Sequence, residues 1–220
     1  MEQPIRIGPM TLRYSVVSEM ENNVYLLTHT ETGAQVLIDA ADDAPAILQL
    51  LEEGSGDVQG DDGAKLVAIF TTHAHTDHTR ALAAIKEATG AMAGAGDADA
   101  ATVTEATGVP MDFTVAHGDV GNFDGFDLEA ISLRGHTPGS TALALEVEGE
   151  PVHLFVGDSL FPGGVGKTDG EEDFTSLIED VEQRLFERFG DDAVVWPGHG
   201  KHTTLGDERG SLEEWRQRGW

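Results

Sequence analysis

A chain of 220 residues with 40% apolar content is long enough for one domain with a substantial core, and too apolar to be disordered. Forty acidic residues against thirteen basic ones give a net charge of −27, which repels nucleic acid and anionic membranes and leaves a small molecule as the expected partner. The chain has no cysteine, so disulfides, thiolate metal sites and cysteine nucleophiles are excluded.

In chain order, residues 24–27 and 36–38 read as two strands joined by a turn at Glu31-Thr32-Gly33. Residues 45–53 read as a short helix with a proline in its first turn. A polar, glycine-rich loop is expected over 54–63. Residues 66–70 form an apolar run of the buried-strand type and lead directly to His73. A helix is expected over 79–88, stopped by Gly90. The Ala- and Gly-rich stretch 91–108 indicates no element. Residues 126–133 and 141–148 read as strands joined by Gly135-His136-Thr137-Pro138-Gly139. Residues 153–156 read as another, ending at Gly157-Asp158. Between 173 and 189, Phe174, Leu177, Ile178, Val181, Leu185 and Phe186 fall at helical spacing with one apolar face. Residues 193–196 read as the last strand, running into Pro197-Gly198-His199-Gly200, and a short helix is expected near 212–218. Strands interleaved with helices, without repeat or linker, predict a single α/β domain over 1–220. The stretch 1–10 carries neither a basic segment nor an apolar run, so the expected location is the cytoplasm. The dispersed acids read as a heavily solvated surface, with adaptation to a salty cytoplasm as the alternative.

The strongest chemical signal is Thr72-His73-Ala74-His75-Thr76-Asp77-His78, placed between an apolar strand and a helix. Side chains alternate along an extended stretch, so His73 and His75 point the same way and can grip one ion. Asp77 and His78 lie past that stretch, where the chain turns, and can face a second ion. His136, Asp158 and His199 each follow a strand and sit beside glycine, which lets the backbone pass close to a ligand. Imidazole and carboxylate donors suit zinc, iron or manganese. His29, His117, His153 and His202 have no motif around them and read as surface or hydrogen-bonded residues. Asp39 closes a strand; it either buttresses the ligand loop or starts a turn. Ser140 and Ser159 adjoin candidate ligands and read as support or turn residues rather than nucleophiles.

This set of residues resembles the signature of the metallo-β-lactamase superfamily, over a stretch from about residue 24 to His199. Within it, the glyoxalase II group is most similar. The likeness rests on Gly135-His136-Thr137-Pro138-Gly139-Ser140, Gly157-Asp158-Ser159-Leu160-Phe161, Gly163-Gly164-Val165-Gly166-Lys167-Thr168-Asp169 and Pro197-Gly198-His199-Gly200. The resemblance implies a four-layer αβ/βα sandwich with metals at one edge between two sheets. It implies that His73, His75 and His136 hold one divalent ion, zinc first and iron or manganese as alternatives. Asp77, His78 and His199 would hold a second, and Asp158 would bridge the two. The implied activity is hydrolysis of a thioester, or of a related ester or lactone, by a hydroxide held between the ions. Asp77 and Asp158 are then the catalytic carboxylates, with Asp77 orienting the hydroxide.

Lys167, one of only four lysines, stands where glyoxalase II binds the glutathione part of its substrate. The 21 residues after His199 are too few for that enzyme's helical C-terminal domain, and Thr168-Asp169 replaces its usual aromatic residue. Another thiol carrier therefore stays open. Two other classes also stay open. Persulfide dioxygenases share the fold and bind one iron through equivalents of His73, His136 and Asp158. A non-catalytic metal-binding module would keep the fold alone.

Overall fold

The computed structural model describes residues 3–59 and 63–219. The first sheet runs in chain order: β1 (Ile5–Ile7), β2 (Met10–Val17), β3 (Asn22–His29), β4 (Ala34–Ile38), β5 (Lys65–Thr71), β6 (Met92–Gly96) and β7 (Phe113–Val115). Its first four strands are antiparallel, and β4 through β7 are parallel. The parallel connections need crossovers; α1 (Ala44–Ser55), α2 (Leu82–Thr89) and α3 (Ala100–Thr107) supply them. The second sheet contains β8 (Val120–Asn122), β9 (Asp127–Ser132), β10 (Thr141–Leu145) and β11 (His153–Gly157). After a small ribbon of β12 (Leu160–Phe161) and β13 (Gly164–Val165), the chain forms α4 (Glu171–Val181). It then adds β14 (Val194–Pro197) and β15 (Thr203–Thr204), giving the order β15-β14-β11-β10-β9-β8, and ends in α5 (Leu205–Arg209) and α6 (Leu212–Arg218).

Three apolar cores stack between four layers. Val24, Leu26 and Leu37 face Ile47, Leu82 and Ile85 of α1 and α2. Tyr25, Leu27, Val36 and Phe70 face Leu143, Phe155 and Trp196 across the two sheets. Ile131, Leu154 and Val156 face Phe174, Leu177, Ile178 and Trp215 on the far helices. All eight residues of β3 are buried, because helices cover one face and the second sheet the other. That is why the central strands read as continuous apolar runs rather than alternating ones. The αβ/βα sandwich expected from the sequence is therefore the fold found. Among the described residues no helix is long and apolar enough to cross a membrane.

The departures from the sequence reading have local causes. The unassigned stretch 91–108 contains β6 and α3. Its strand is Met-Ala-Gly-Ala-Gly because space is scarce: a Cβ on Gly96 would collide with the Gly139 carbonyl, and one on Gly94 with the Phe113 ring. The expected loop over 54–63 starts later, since α1 continues to Ser55, and residues 60–62 lie outside the described ones. The helix expected from Thr79 begins at Leu82, because Thr76–His78 forms a separate 3₁₀ turn. The long helix expected over 173–189 is α4 followed by a π-turn at Glu182–Phe186. The strand read as the last is followed by β15, and β2 precedes the first strand that was assigned.

Candidate metal centre

The ends of β5, β9, β11 and β14 meet at one edge of the sandwich, as strand ends often do at functional sites. From β5 the chain delivers His73 and His75 in extended form, then turns tightly at Thr76–His78 to present Asp77 and His78. The β9–β10 loop brings His136, the end of β11 Asp158, and the end of β14 His199. Three overlapping groups have donor atoms within 4.8 Å of one another: His73 with His75 and His136; His73 with His78 and Asp158; Asp77 with His78 and His199. All seven candidate ligands thus fall in one cluster. His29, His117, His153 and His202 lie outside it.

Asp158 stands between the two outer triads. Its Oδ2 is 3.7 Å from His136 Nε2 and 3.4 Å from His199 Nε2, and its Oδ1 is 3.4 Å from His78 Nε2. Gly198 makes this approach feasible, since a Cβ there would collide with Asp158 Oδ1. In the second triad, Asp77 Oδ2 is 3.4 Å from Nε2 of both His78 and His199, and those two nitrogens are 3.1 Å apart.

Four imidazoles are oriented by their outer nitrogens. Nδ1–H of His136 donates to the Lys167 carbonyl at 2.7 Å, and that of His199 to the Met20 carbonyl at 2.8 Å. Nδ1–H of His78 donates to Asp39 Oδ2 at 2.9 Å. The Thr72 hydroxyl also donates to Asp39, so it accepts from His73 Nδ1–H at 3.0 Å. An acceptor at Nδ1 places the proton there and leaves Nε2 as a lone pair aimed inward. Asp39 thus buttresses one imidazole of each triad, directly or through Thr72. It does not simply begin a turn.

The inward atoms are short of partners. His73 Nε2, His136 Nε2 and Asp158 Oδ1 are buried with no hydrogen bond among the described residues. Buried polar atoms are almost always satisfied, so three orphans converging on one spot fit a cation. The charges agree. Burial would raise the Asp158 carboxyl, yet His199 and His78 hold it well below the usual carboxylate range. Burial opposes charge on His78, yet Asp39 and Asp158 carry it up to about 10. Asp158 likewise raises His199. The carboxylates thus favour positive charge at this point of the cluster. His73 is pushed well below its ordinary value, first by burial and then by His78.

Two contributors gave no sequence signal. Asp99, nearly fully buried in the unassigned stretch, accepts from Ala74 N–H at 2.9 Å, Thr137 Oγ1–H at 2.6 Å and Gly139 N–H at 2.8 Å. It ties the His75 loop to the His136 loop. Asn22, at the start of β3, donates Nδ2–H to Asp77 Oδ2 at 2.9 Å. Of the remaining candidates, Lys167 is exposed and lines a cleft of about 340 Å³ with Val165, Gly166, Thr168, Asp169 and Gly170. The Ser140 hydroxyl accepts from Thr137 N–H, a turn contact, while the Ser159 hydroxyl is buried without a partner. His153 accepts from the Trp196 indole at 2.9 Å and is lowered to about 4 by burial, as befits a core histidine.

A four-layer sandwich with His/Asp clusters at its edge defines a class of metal-binding proteins. The metallo-β-lactamase superfamily model matches residues 18–199, and the chain belongs to that superfamily. Among curated relatives it is 28% identical to the hydroxyacylglutathione hydrolase GloC of Haemophilus influenzae, covering 92% of this chain and 96% of that one. It is also 28% identical to the mitochondrial persulfide dioxygenase ETHE1 of Mus musculus, covering 92% and 74%. Among solved structures, ETHE1 from Myxococcus xanthus superposes with a TM-score of 0.77 at 26% identity, covering 94% of this chain and 89% of that one.

Proposed function

We propose that the protein is a binuclear metal-dependent hydrolase that cleaves the thioester of a small acidic molecule, with a related ester or lactone as the neighbouring possibility. The observation that carries this reading is the completeness of the second triad. Asp77, His78 and His199 converge as closely as the first three histidines, and Asp158 stands between the groups. That set offers a second ion three donors of its own. Two divalent ions, when bound, would lower the pKa of a shared water to about 7 and polarise a carbonyl. Zinc is the first expectation, with iron and manganese alternatives.

The chain's own residues do the rest. Asp77 turns Oδ2 to the triad, which leaves Oδ1 to hold the proton of the attacking water. His136 is oriented by the carbonyl of Lys167, so the same loop places a ligand and a substrate cation. The Lys167 ammonium, at the cleft beside His136, would bind an anionic end of the thiol carrier. Lys167→Ala should raise KM for a hydroxyacylglutathione about 3- to 5-fold, as suits an exposed charge pair, with kcat nearly unchanged. An unchanged KM would reject this role.

The deciding experiment is elemental analysis of the purified protein beside two assays. About two metal equivalents per chain with thioester cleavage supports the hydrolase. One equivalent of iron, with oxygen consumed on a glutathione persulfide, overturns it in favour of the dioxygenase reading that the likeness to ETHE1 supports.

A further inference from the structure

The turn between β2 and β3 reaches into the second triad. Asn22 is fully buried, and its Nδ2 lies 2.9 Å from Asp77 Oδ2 and 3.4 Å from Nε2 of both His78 and His199. Those three atoms are the inward-facing donors of the second triad, so one amide nitrogen touches the whole set. The amide orientation is fixed from behind. Ser18, held at φ 67, donates its hydroxyl proton to Asn22 Oδ1 at 2.6 Å. The same hydroxyl accepts from Met20 N–H at 3.0 Å, so its proton is committed to Asn22. A reversed amide would set a donor against that donor.

His199 is tied to the same turn. Its Nδ1–H donates to the Met20 carbonyl, its backbone bridges to Asn22, and Asn23 N–H donates to the Gly198 carbonyl at 2.7 Å. The turn therefore holds two of the three ligands of the second triad. None of its hydrogen bonds described here reaches His73, His75 or His136. Asp77 needs such an anchor. It sits on a single 3₁₀ turn with its side chain 14% exposed, and the Asn22 amide holds one of its oxygens at 2.9 Å.

We infer that Asn22 is a positioning residue that sets the metal affinity of the second triad alone, and so determines whether the protein holds one ion or two. By donating to Asp77 Oδ2, the amide points that oxygen at the two imidazoles and keeps Oδ1 apart from them. The inference rests on the two-metal reading above. A side chain that hydrogen-bonds a metal-ligating carboxylate typically changes metal affinity about 10- to 100-fold when it is lost.

The test is calorimetric titration of the metal-stripped full-length protein with zinc, in the wild type, Asn22→Ala, Ser18→Ala and His199→Ala. The wild type should show two binding events, of which His199→Ala removes one. Asn22→Ala should weaken that same event about 10- to 100-fold and leave the other within about 3-fold. Ser18→Ala, a milder change that leaves Asn22 in place, should weaken the same event by less. Excess zinc should restore thioester cleavage in both. Two unchanged events, or two events weakened equally, would overturn the role of Asn22 and leave the binuclear reading standing. A single event in the wild type would overturn the binuclear reading and this inference with it.

Discussion

Asp158→Ala should release at least one metal equivalent and reduce hydrolysis at least about 10³-fold. Among the described residues Asp158 is the one whose oxygens face both triads, with His136 and His199 near Oδ2 and His78 near Oδ1. Two dications held by the cluster would be opposed by only two carboxylate ligands, Asp77 and Asp158, so its loss would halve the opposing charge. A unit charge pair about 4 Å apart is worth about 4 kcal/mol at the effective dielectric of such sites, which corresponds to about 10³ in affinity. The isosteric Asp158→Asn separates charge from shape. It should keep the fold and still lose metal, because an amide oxygen is the weaker donor for a hard cation. Metal content and steady-state rates on a hydroxyacylglutathione check both variants. Two retained equivalents with near-normal turnover would remove Asp158 from the bridging position.

The parts of this architecture that were legible in the sequence are those written in contiguous residues. The run from His73 to His78 follows an apolar strand and carries its own spacing. His136, Asp158 and His199 were legible because each ends a strand beside a glycine that close approach demands. Asn22 and Asp99 were not. Each acts across a long separation, 55 residues from Asn22 to Asp77 and 38 from Asp99 to Thr137, and neither stands in a pattern. An Asn-Asn pair ahead of an apolar run reads as turn chemistry, and Asp97-Ala98-Asp99 among alanines reads as solvated surface. The strand β6 was hidden for a different reason. Its glycines answer to the neighbouring Phe113 ring and Gly139 carbonyl rather than to strand propensity, so tertiary crowding overrode the local signal. β2 did alternate, with Leu12, Tyr14 and Val16 against Thr11, Arg13 and Ser15, but Tyr14 and Val16 lie on an exposed face, and the strand has no continuous apolar run. Asp39 fell between these cases. Its place at a strand end was visible, but its three hydrogen bonds run to residues more than thirty positions away.

Asp39 supports the last and most discriminating of the expected results. It is almost fully buried at φ 60, a conformation Asp tolerates better than most residues. Its Oδ1 accepts from Thr72 N–H at 2.8 Å, and its Oδ2 accepts from the Thr72 hydroxyl at 2.8 Å and from His78 Nδ1–H at 2.9 Å. Asp39→Ala leaves three buried donors without an acceptor, at about 1–3 kcal/mol each, and should lower the unfolding midpoint sharply. That outcome alone would not separate support of the fold from support of the site. Asp39→Asn does. Its amide oxygen still accepts from Thr72 N–H, so the strand end stays tied, but its NH₂ now donates where Oδ2 accepted. His78 Nδ1 must then become an acceptor, which moves its proton to Nε2 and blocks the inward lone pair. The Thr72 hydroxyl loses its acceptor too, and so releases His73 Nδ1. Metal affinity should therefore fall in both triads, about 10- to 100-fold, while the folded state persists. Nitrogen chemical shifts of His78 near neutral pH would report the change directly: a ring protonated at both nitrogens while Asp39 and Asp158 carry it up to about 10, against a ring that has lost its Nδ1 proton in the variant. If Asp39→Asn keeps both metals at wild-type affinity, the tautomers are set by something other than Asp39, and its bonds serve only to hold Thr72 at the end of β5.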